Sequence, residues 1–183
     1  MNLDEYKYMT NSVPVNPFGI PIAQTWQQLG SIFSDLNEYK ISLFVELGVY
    51  FGGLADLLLI RQSIDSDFHY FGVQLDADEL RPRIKSKIRV GDVLDPIIVQ
   101  EVKNLIDNSA GTAMIYCDAG NKPKEMETYT PLLRDGDYIR VHDFPGEVSE
   151  KFLDEYQTNF PYMAEIERWK CRELGYSLWR KLG

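Results

Sequence analysis

Between a β-forming run and a helical pattern stands Glu46-Leu47-Gly48-Val49-Tyr50-Phe51-Gly52-Gly53. The residues before it, SLFVEL, are short, apolar, β-branched and aromatic, so they read as a buried strand that ends at Gly48. The residues after it, GLADLLLIRQS, read as a helix that starts near Gly53. Glycines let the chain turn tightly and let a ligand approach the backbone. A strand, a tight turn and a helix in succession form half of a βαβ unit, which commits the chain to a parallel sheet with helices on its faces.

The rest of the sequence repeats this alternation. Residues 12–21, with three prolines and a glycine, read as an extended lead-in. Ile22, Trp26, Leu29, Ile32, Phe33 and Leu36 recur at helical steps and give one apolar face, with Trp26 expected in the core. HYFGVQLD is a second strand and KIRVGD a short third. Asp95 before Pro96 caps a helix that runs to about Asn108. TAMIYCDAG is a fourth strand, Pro123 to Arg134 a helix, DYIRVHDF a fifth strand, and Glu147 to Phe160 a helix. AEIERWKCREL and YSLWRKL close the chain as a hairpin that turns near Gly175.

Composition narrows the partners. The chain has 183 residues, which points to a single domain over 1–183 with 1–21 as lead-in or lid. Nineteen basic against 28 acidic residues leave a net charge of −9, which disfavours nucleic acid and anionic membrane surfaces. No apolar run approaches the roughly 18 residues of a membrane span, and the start carries no signal-peptide pattern. Two cysteines, Cys117 and Cys171, form neither a disulfide framework nor a zinc set, so a reducing, cytoplasmic location is expected.

Several residues can carry chemistry. Glu46, at the end of the first strand, can accept from a cationic amine. The glycine spacing is neither GxGxxG nor a P-loop, which argues against dinucleotide oxidoreductases and triphosphate binding. Asp118 ends the fourth strand, and His142 and Asp143 end the fifth. Adjacent parallel strands lie roughly 4.8 Å apart, so these groups should converge beside the glycine loop. His142 is a candidate general base and Lys122 another. Tyr6, Tyr8 and Phe18 precede the sheet and can wall an acceptor pocket.

FVELGVYFGGLADLLL, with Gly19-Ile20-Pro21-Ile22-Ala23-Gln24 upstream, resembles the class I S-adenosylmethionine-dependent methyltransferases. It is similar in particular to the group around the cephalosporin hydroxylases and macrolide-sugar O-methyltransferases. The resemblance spans about residues 17–145. It implies a three-layer αβα Rossmann-like fold, with seven strands in the order 3-2-1-4-5-7-6 and strand seven antiparallel. It implies S-adenosylmethionine over Gly48, Gly52 and Gly53, with its amino-acid end near Glu46. A side chain at Gly48 is then expected to block the ligand while leaving the fold intact. Gln74 stands where the family places a ribose-binding carboxylate. Either Gln74 binds one ribose hydroxyl as an amide, or Asp76, two residues on, supplies the missing charge if the strand reaches it; of the two, Asp76 is expected to contribute more. Asp92 matches the adenine-end acid, and Val93 can pack on the ring.

The same resemblance puts Mg²⁺ and the acceptor at Asp118 and Asp143, a set that suits a hard cation keeping several waters. Two departures stand out: Asn121 replaces a frequent histidine, and His142 replaces a frequent acid. In the implied order two strands separate Cys117 from Cys171, roughly 14 Å at about 4.8 Å per strand, so no disulfide is expected between them. The function implied is methyl transfer from S-adenosylmethionine to a small-molecule hydroxyl, with a divalent metal as assistant and a homo-oligomer as an open option. A non-catalytic adenosyl-ligand-binding or assembly subunit of the same fold is the alternative.

Overall fold

The computed structural model describes residues 15–78, 80–166 and 173–183. Helix α1 (Trp26–Glu38) precedes β1 (Ile41–Leu47), and the glycine loop leads into α2 (Gly53–Ile64). Next come β2 (His69–Gln74), a one-turn helix α3 (Pro82–Lys85) and β3 (Arg89–Val90). Then follow α4 (Pro96–Asn108), β4 (Thr112–Cys117), α5 (Lys122–Tyr129) and a 3-10 turn (Thr130–Leu132). The chain closes with β5 (Tyr138–His142), α6 (Glu150–Asn159), β6 (Met163–Ile166) and β7 (Tyr176–Lys181).

The strands form one seven-stranded sheet in the order β3-β2-β1-β4-β5-β7-β6. The first five are parallel, and β7 runs antiparallel to both β5 and β6. The order expected from the resemblance is the one found.

Alternate residues of the central strands feed two cores. Val45, Leu47, Ile115 and Val141 face α4, α5 and α6. Phe44, Met114 and Tyr116 face α1 and α2. Both faces of each central strand are buried, which is why these strands read as continuous apolar runs.

Local chemistry moves several expected boundaries. The helix expected over Pro123–Arg134 stops at Tyr129, because Pro131 cannot donate to the helical ladder. The hydroxyl of Thr130 donates instead to the Met126 carbonyl at 2.6 Å. The helix expected from Glu147 starts at Glu150, where Ser149 caps it by accepting the Phe152 N–H at 3.2 Å. Trp26, expected in the core, is 66% exposed. It occupies the first turn of α1, ahead of the stretch where Leu29, Ile32 and Leu36 reach the sheet.

The lead-in from Val15 to Pro21 is pinned. Val15 and Pro21 form an antiparallel bridge. Asn16 Oδ1 accepts the N–H groups of Phe18 and Ile20, while Nδ2 donates to Asp56 at 3.0 Å. Phe18 is half exposed and stacks under the Arg83 guanidinium at 3.6 Å, so it does not wall a pocket. Tyr6, Tyr8 and Cys171 lie outside the described residues; Cys117 is buried with a free thiol.

Candidate functional site

A cavity of about 720 Å³ opens at the carboxyl edge of the parallel strands, within the usual range of small-molecule sites. It lies over β1 and β4, where the strand order reverses, the place such sheets bind ligands. Its floor is the glycine loop. Gly48 N–H donates to the Val73 carbonyl at 2.9 Å, and Asp118 N–H donates to the Leu47 carbonyl at 2.8 Å. These bonds hold the ends of β1, β2 and β4 together.

The glycines are required first by the fold. A Cβ on Gly48 would lie 2.4 Å from the Asp118 carbonyl oxygen, and Gly48 has φ +92°. A Cβ on Gly53 would lie 2.2 Å from the Pro21 carbonyl oxygen. At Gly52, with φ +84°, it would run into the Ile84 side chain. Of the three, Gly48 and Gly53 line the cavity, and Gly52 packs behind it. The expectation that a side chain at Gly48 spares the fold is therefore corrected: it would strike the Asp118–Ala119 backbone just past β4.

Gln74 lines the cavity and fastens the loop. Its Oε1 accepts the N–H groups of Val49 at 2.9 Å and Tyr50 at 3.0 Å. Tyr50 sits at φ +53°, a left-handed conformation that these contacts help to hold. With its oxygen engaged by the loop, the remaining polar group of Gln74 is its amide NH₂, a donor. The expected compensation by Asp76 requires the strand to reach it, and that condition is not met. Strand β2 ends at Gln74, so the alternation that would aim Asp76 at the ribose is lost. Asp76 is exposed, outside the lining, and accepts the Asp78 N–H in a local turn. Asp92 and Val93 line the far end of the cavity, where Asp92 also accepts the Leu94 N–H at 2.8 Å.

Glu46 does not face the cavity. It points from β1 into the core beneath α2 and accepts the Tyr70 hydroxyl at 2.5 Å. Burial pushes its carboxyl up to about 8, with the Asp118 charge adding to the rise and the Tyr70 bond opposing it. Its carboxyl group therefore stands behind the cavity lining, bonded to Tyr70.

The other end of the cavity is a charged cluster. Asp118 lines it, with Oδ2 accepting from Gln24 Nε2 at 2.7 Å and Oδ1 lying 3.1 Å from His142 Nδ1. The same nitrogen is 3.1 Å from Asp143 Oδ1. Asp118, His142 and Asp143 each offer one donor atom, all within 4.8 Å of one another. Two carboxylate oxygens and an imidazole nitrogen fit a divalent cation, and the partly exposed Asp143 leaves room for water.

His142 stands behind this pair rather than in the lining, and its buried Nε2 has no hydrogen-bond partner among the described residues. Burial alone would lower its pKa, but the bonds and charges of Asp118 and Asp143 outweigh that and raise it to about 9. His142 Nδ1 thus bridges the two carboxylates and orients them. Lys122 Nζ lies 2.7 Å from Glu147, 3.0 Å from Asp143 and 3.7 Å from Asp118. Burial alone would lower the ammonium, but Glu147, Asp118 and Asp143 outweigh it and hold it well above the ordinary lysine value. These partners favour the charged form of Lys122.

Sequence reasoning named Gln24 in its motif without giving it a role, and it missed Glu147 and Glu125. Glu125 holds the loop after β4 by accepting the N–H groups of Ala119 and Asn121. It stands four residues after the Asn121 cap, one beyond the capping-box position, so no standard helix-start spacing marks it. Glu147 had no local signal either.

A family model described as rhamnosyl O-methyltransferase/CmcI matches residues 8–172. The chain belongs to that family. It is thereby a class I S-adenosylmethionine-dependent methyltransferase. Among solved structures, an apo form of CmcI is 19% identical with a TM-score of 0.72, covering 100% of this chain and 85% of that one. A CmcI complex with Mg and S-adenosylmethionine is 18% identical with the same score and coverage. The O-methyltransferase TomG from Streptomyces achromogenes, involved in tomaymycin synthesis and solved with S-adenosylmethionine, is 12% identical. Its TM-score is 0.58, and the match covers 100% of this chain and 97% of TomG. At these identities the likenesses establish the fold. No curated protein matches the chain in sequence.

Within the rhamnosyl O-methyltransferase/CmcI family frame, the cavity joins the expected cofactor loop to the expected acceptor cluster. Among the described residues no helix is long and apolar enough to cross a membrane.

Proposed function

We propose that this chain transfers the methyl group of S-adenosylmethionine to a hydroxyl of a small molecule, at the cavity between the glycine loop and Asp118. The observation that carries this reading is the continuity of that cavity. Gly48 and Gln74 line one stretch, Asp92 and Val93 one end, and Asp118 and Asp143 the other.

The cofactor supplies the methyl electrophile. The chain's part is binding and alignment. Gly48 and Gly53 leave the loop backbone open to the ligand, Gln74 donates toward the ribose, and Val93 offers an apolar face to the adenine. Methyl transfer is an in-line displacement, so most of its acceleration comes from holding the acceptor oxygen on the sulfur–methyl axis. Asp118 and Asp143 line the space where that oxygen would sit. Gln24 and His142 fix the Asp118 carboxylate from two sides. A divalent cation held by Asp118 and Asp143 would lower the acceptor's pKa and position its oxygen.

Calorimetry with S-adenosylhomocysteine, followed by methyl-transfer assays against sugar, phenol and catechol hydroxyls, tests the reading. Binding with turnover of one hydroxyl class supports it. Absence of binding sinks it. Binding without turnover of any class would favour the non-catalytic alternative.

A further inference from the structure

We propose that Lys122 is a built-in counter-cation that occupies the acidic cluster and competes there with a divalent cation, giving way toward Glu147 when the cation binds. This rests on the proposed function only in taking Asp118 and Asp143 as the cation's carboxylates.

The geometry of the ammonium carries the inference. The Lys122 side chain is 3% exposed. Its Nζ has three oxygens at hydrogen-bond distance: Glu147 Oε2 at 2.7 Å, Asp143 Oδ2 at 3.0 Å and the Ala119 carbonyl at 3.1 Å. An ammonium has three donors, so all are used. Lys122 is also the first residue of α5, next to the Asn121 cap. A cation is disfavoured at that end of a helix, where the dipole is positive. The carboxylates therefore overcome an opposing field to keep the lysine there. The demand of Asp118 and Asp143 for positive charge is met by the protein itself.

A divalent cation on the Asp118–Asp143 pair would face the ammonium at close range. The two charges repel, and both draw on the Asp143 carboxylate, the ammonium through Oδ2 and the donor cluster through Oδ1, while Asp118 Oδ1 lies near both. Glu147 offers the way out. It is the nearest of the three carboxylates, its side chain is 55% exposed, and it lies outside the donor cluster of Asp118, His142 and Asp143. Lys122 can follow Glu147 toward solvent and keep one partner while releasing Asp143.

The test uses MgCl₂ alone, titrated into the full chain by calorimetry at physiological ionic strength, with thermal melting in parallel. Lys122→Met keeps length and removes the charge. It should bind Mg²⁺ about ten-fold or more tighter than wild type, and Mg²⁺ should raise its melting temperature more. Equal affinity in wild type and Lys122→Met, or no binding by Lys122→Met, overturns the proposal. Glu147→Gln gives a second reading that does not depend on Lys122→Met folding. It removes the landing site for the displaced lysine, so Mg²⁺ affinity should fall about three-fold or more below wild type. Unchanged or tighter affinity there also overturns it. S-adenosylhomocysteine titrated into the same proteins reports on the proposed function separately. Its failure to bind would sink that reading while leaving the Mg²⁺ comparison intact.

Discussion

The side-chain oxygen of Gln74 accepts the backbone N–H of Tyr50 at 3.0 Å, tying the end of β2 to the one non-glycine residue of the loop held at positive φ among the described residues. A second bond, from Val49, makes the contact a clamp. Gln74→Ala should free the loop and leave two N–H groups without their partner. Each neutral bond contributes about 0.5–1.5 kcal/mol, so S-adenosylhomocysteine affinity should drop about ten-fold. Gln74→Glu keeps an acceptor at the same reach and should lose less. Asp76→Asn, out on an exposed turn, should bind as wild type does. Calorimetry on the three variants decides; a larger loss in Asp76→Asn than in Gln74→Ala would reverse the assignment.

Gly48 and Gly120 both line the cavity, yet only Gly48 is bound by the fold. An added Cβ at Gly120 meets nothing within 4 Å. Gly48→Ala must push back the Asp118 backbone and adopt a positive φ, which together cost about 3 kcal/mol or more. Gly120→Ala should stay within about 0.5 kcal/mol of wild type. Urea unfolding of the two proteins gives the comparison directly. Equal midpoints would mean that the loop yields without cost.

Much of this architecture is legible in the chain. Runs such as SLFVEL and TAMIYC, each closed by a turn and followed by a helical pattern, specify parallel strands. The glycine turn after the first marks the carboxyl edge where a ligand would enter. What could not be read is which way a polar group turns at the end of a strand. Glu46 shares the parity of Phe44 and so faces the core, but the depth of that core depends on Tyr70 from another strand. Asp76 depended on one more pair of strand residues than β2 provides. Lys122 and Glu147 meet across 25 residues, joined by the packing of α5 against the turn after β5, and no local spacing encodes that contact.

Beneath the site, Arg140 is fully buried in β5, paired with Asp35 of α1 and bonded to Ser31 at 2.7 Å. Its guanidinium lies 3.5 Å from the centre of the Tyr176 ring. Breaking a buried pair from one side leaves an uncompensated charge, at a cost of about 3–5 kcal/mol. Asp35→Ala should lose that much in denaturant unfolding, whereas the double change Asp35→Leu with Arg140→Met should lose clearly less. If the double variant falls as far as the single, packing rather than charge dominates this layer.

The last prediction concerns pH and His142. Its folded-state pKa of about 9 stands above the ordinary 6.5, because Asp118 and Asp143 hold the protonated ring against the opposing effect of burial. A raised value means the stabilisation is fully present below the unfolded pKa and is lost as pH rises through about 9. At ~1.4 kcal/mol per pH decade, the loss amounts to about 3 kcal/mol. Glu46 acts in the same direction: the unfolded chain sheds that proton near the ordinary 4.5 and the folded one only near 8, so stability falls between those values. Asp143, held below the ordinary carboxylate range first by its bond to His142, acts oppositely and only in acid. The His142 share is isolated by unfolding wild type and His142→Gln in urea with a chelator present, near neutral pH and again well above 9. Wild type should lose about 3 kcal/mol more than the variant over that window. Equal losses in the two proteins would show that the imidazole is not held as a cation between the two carboxylates.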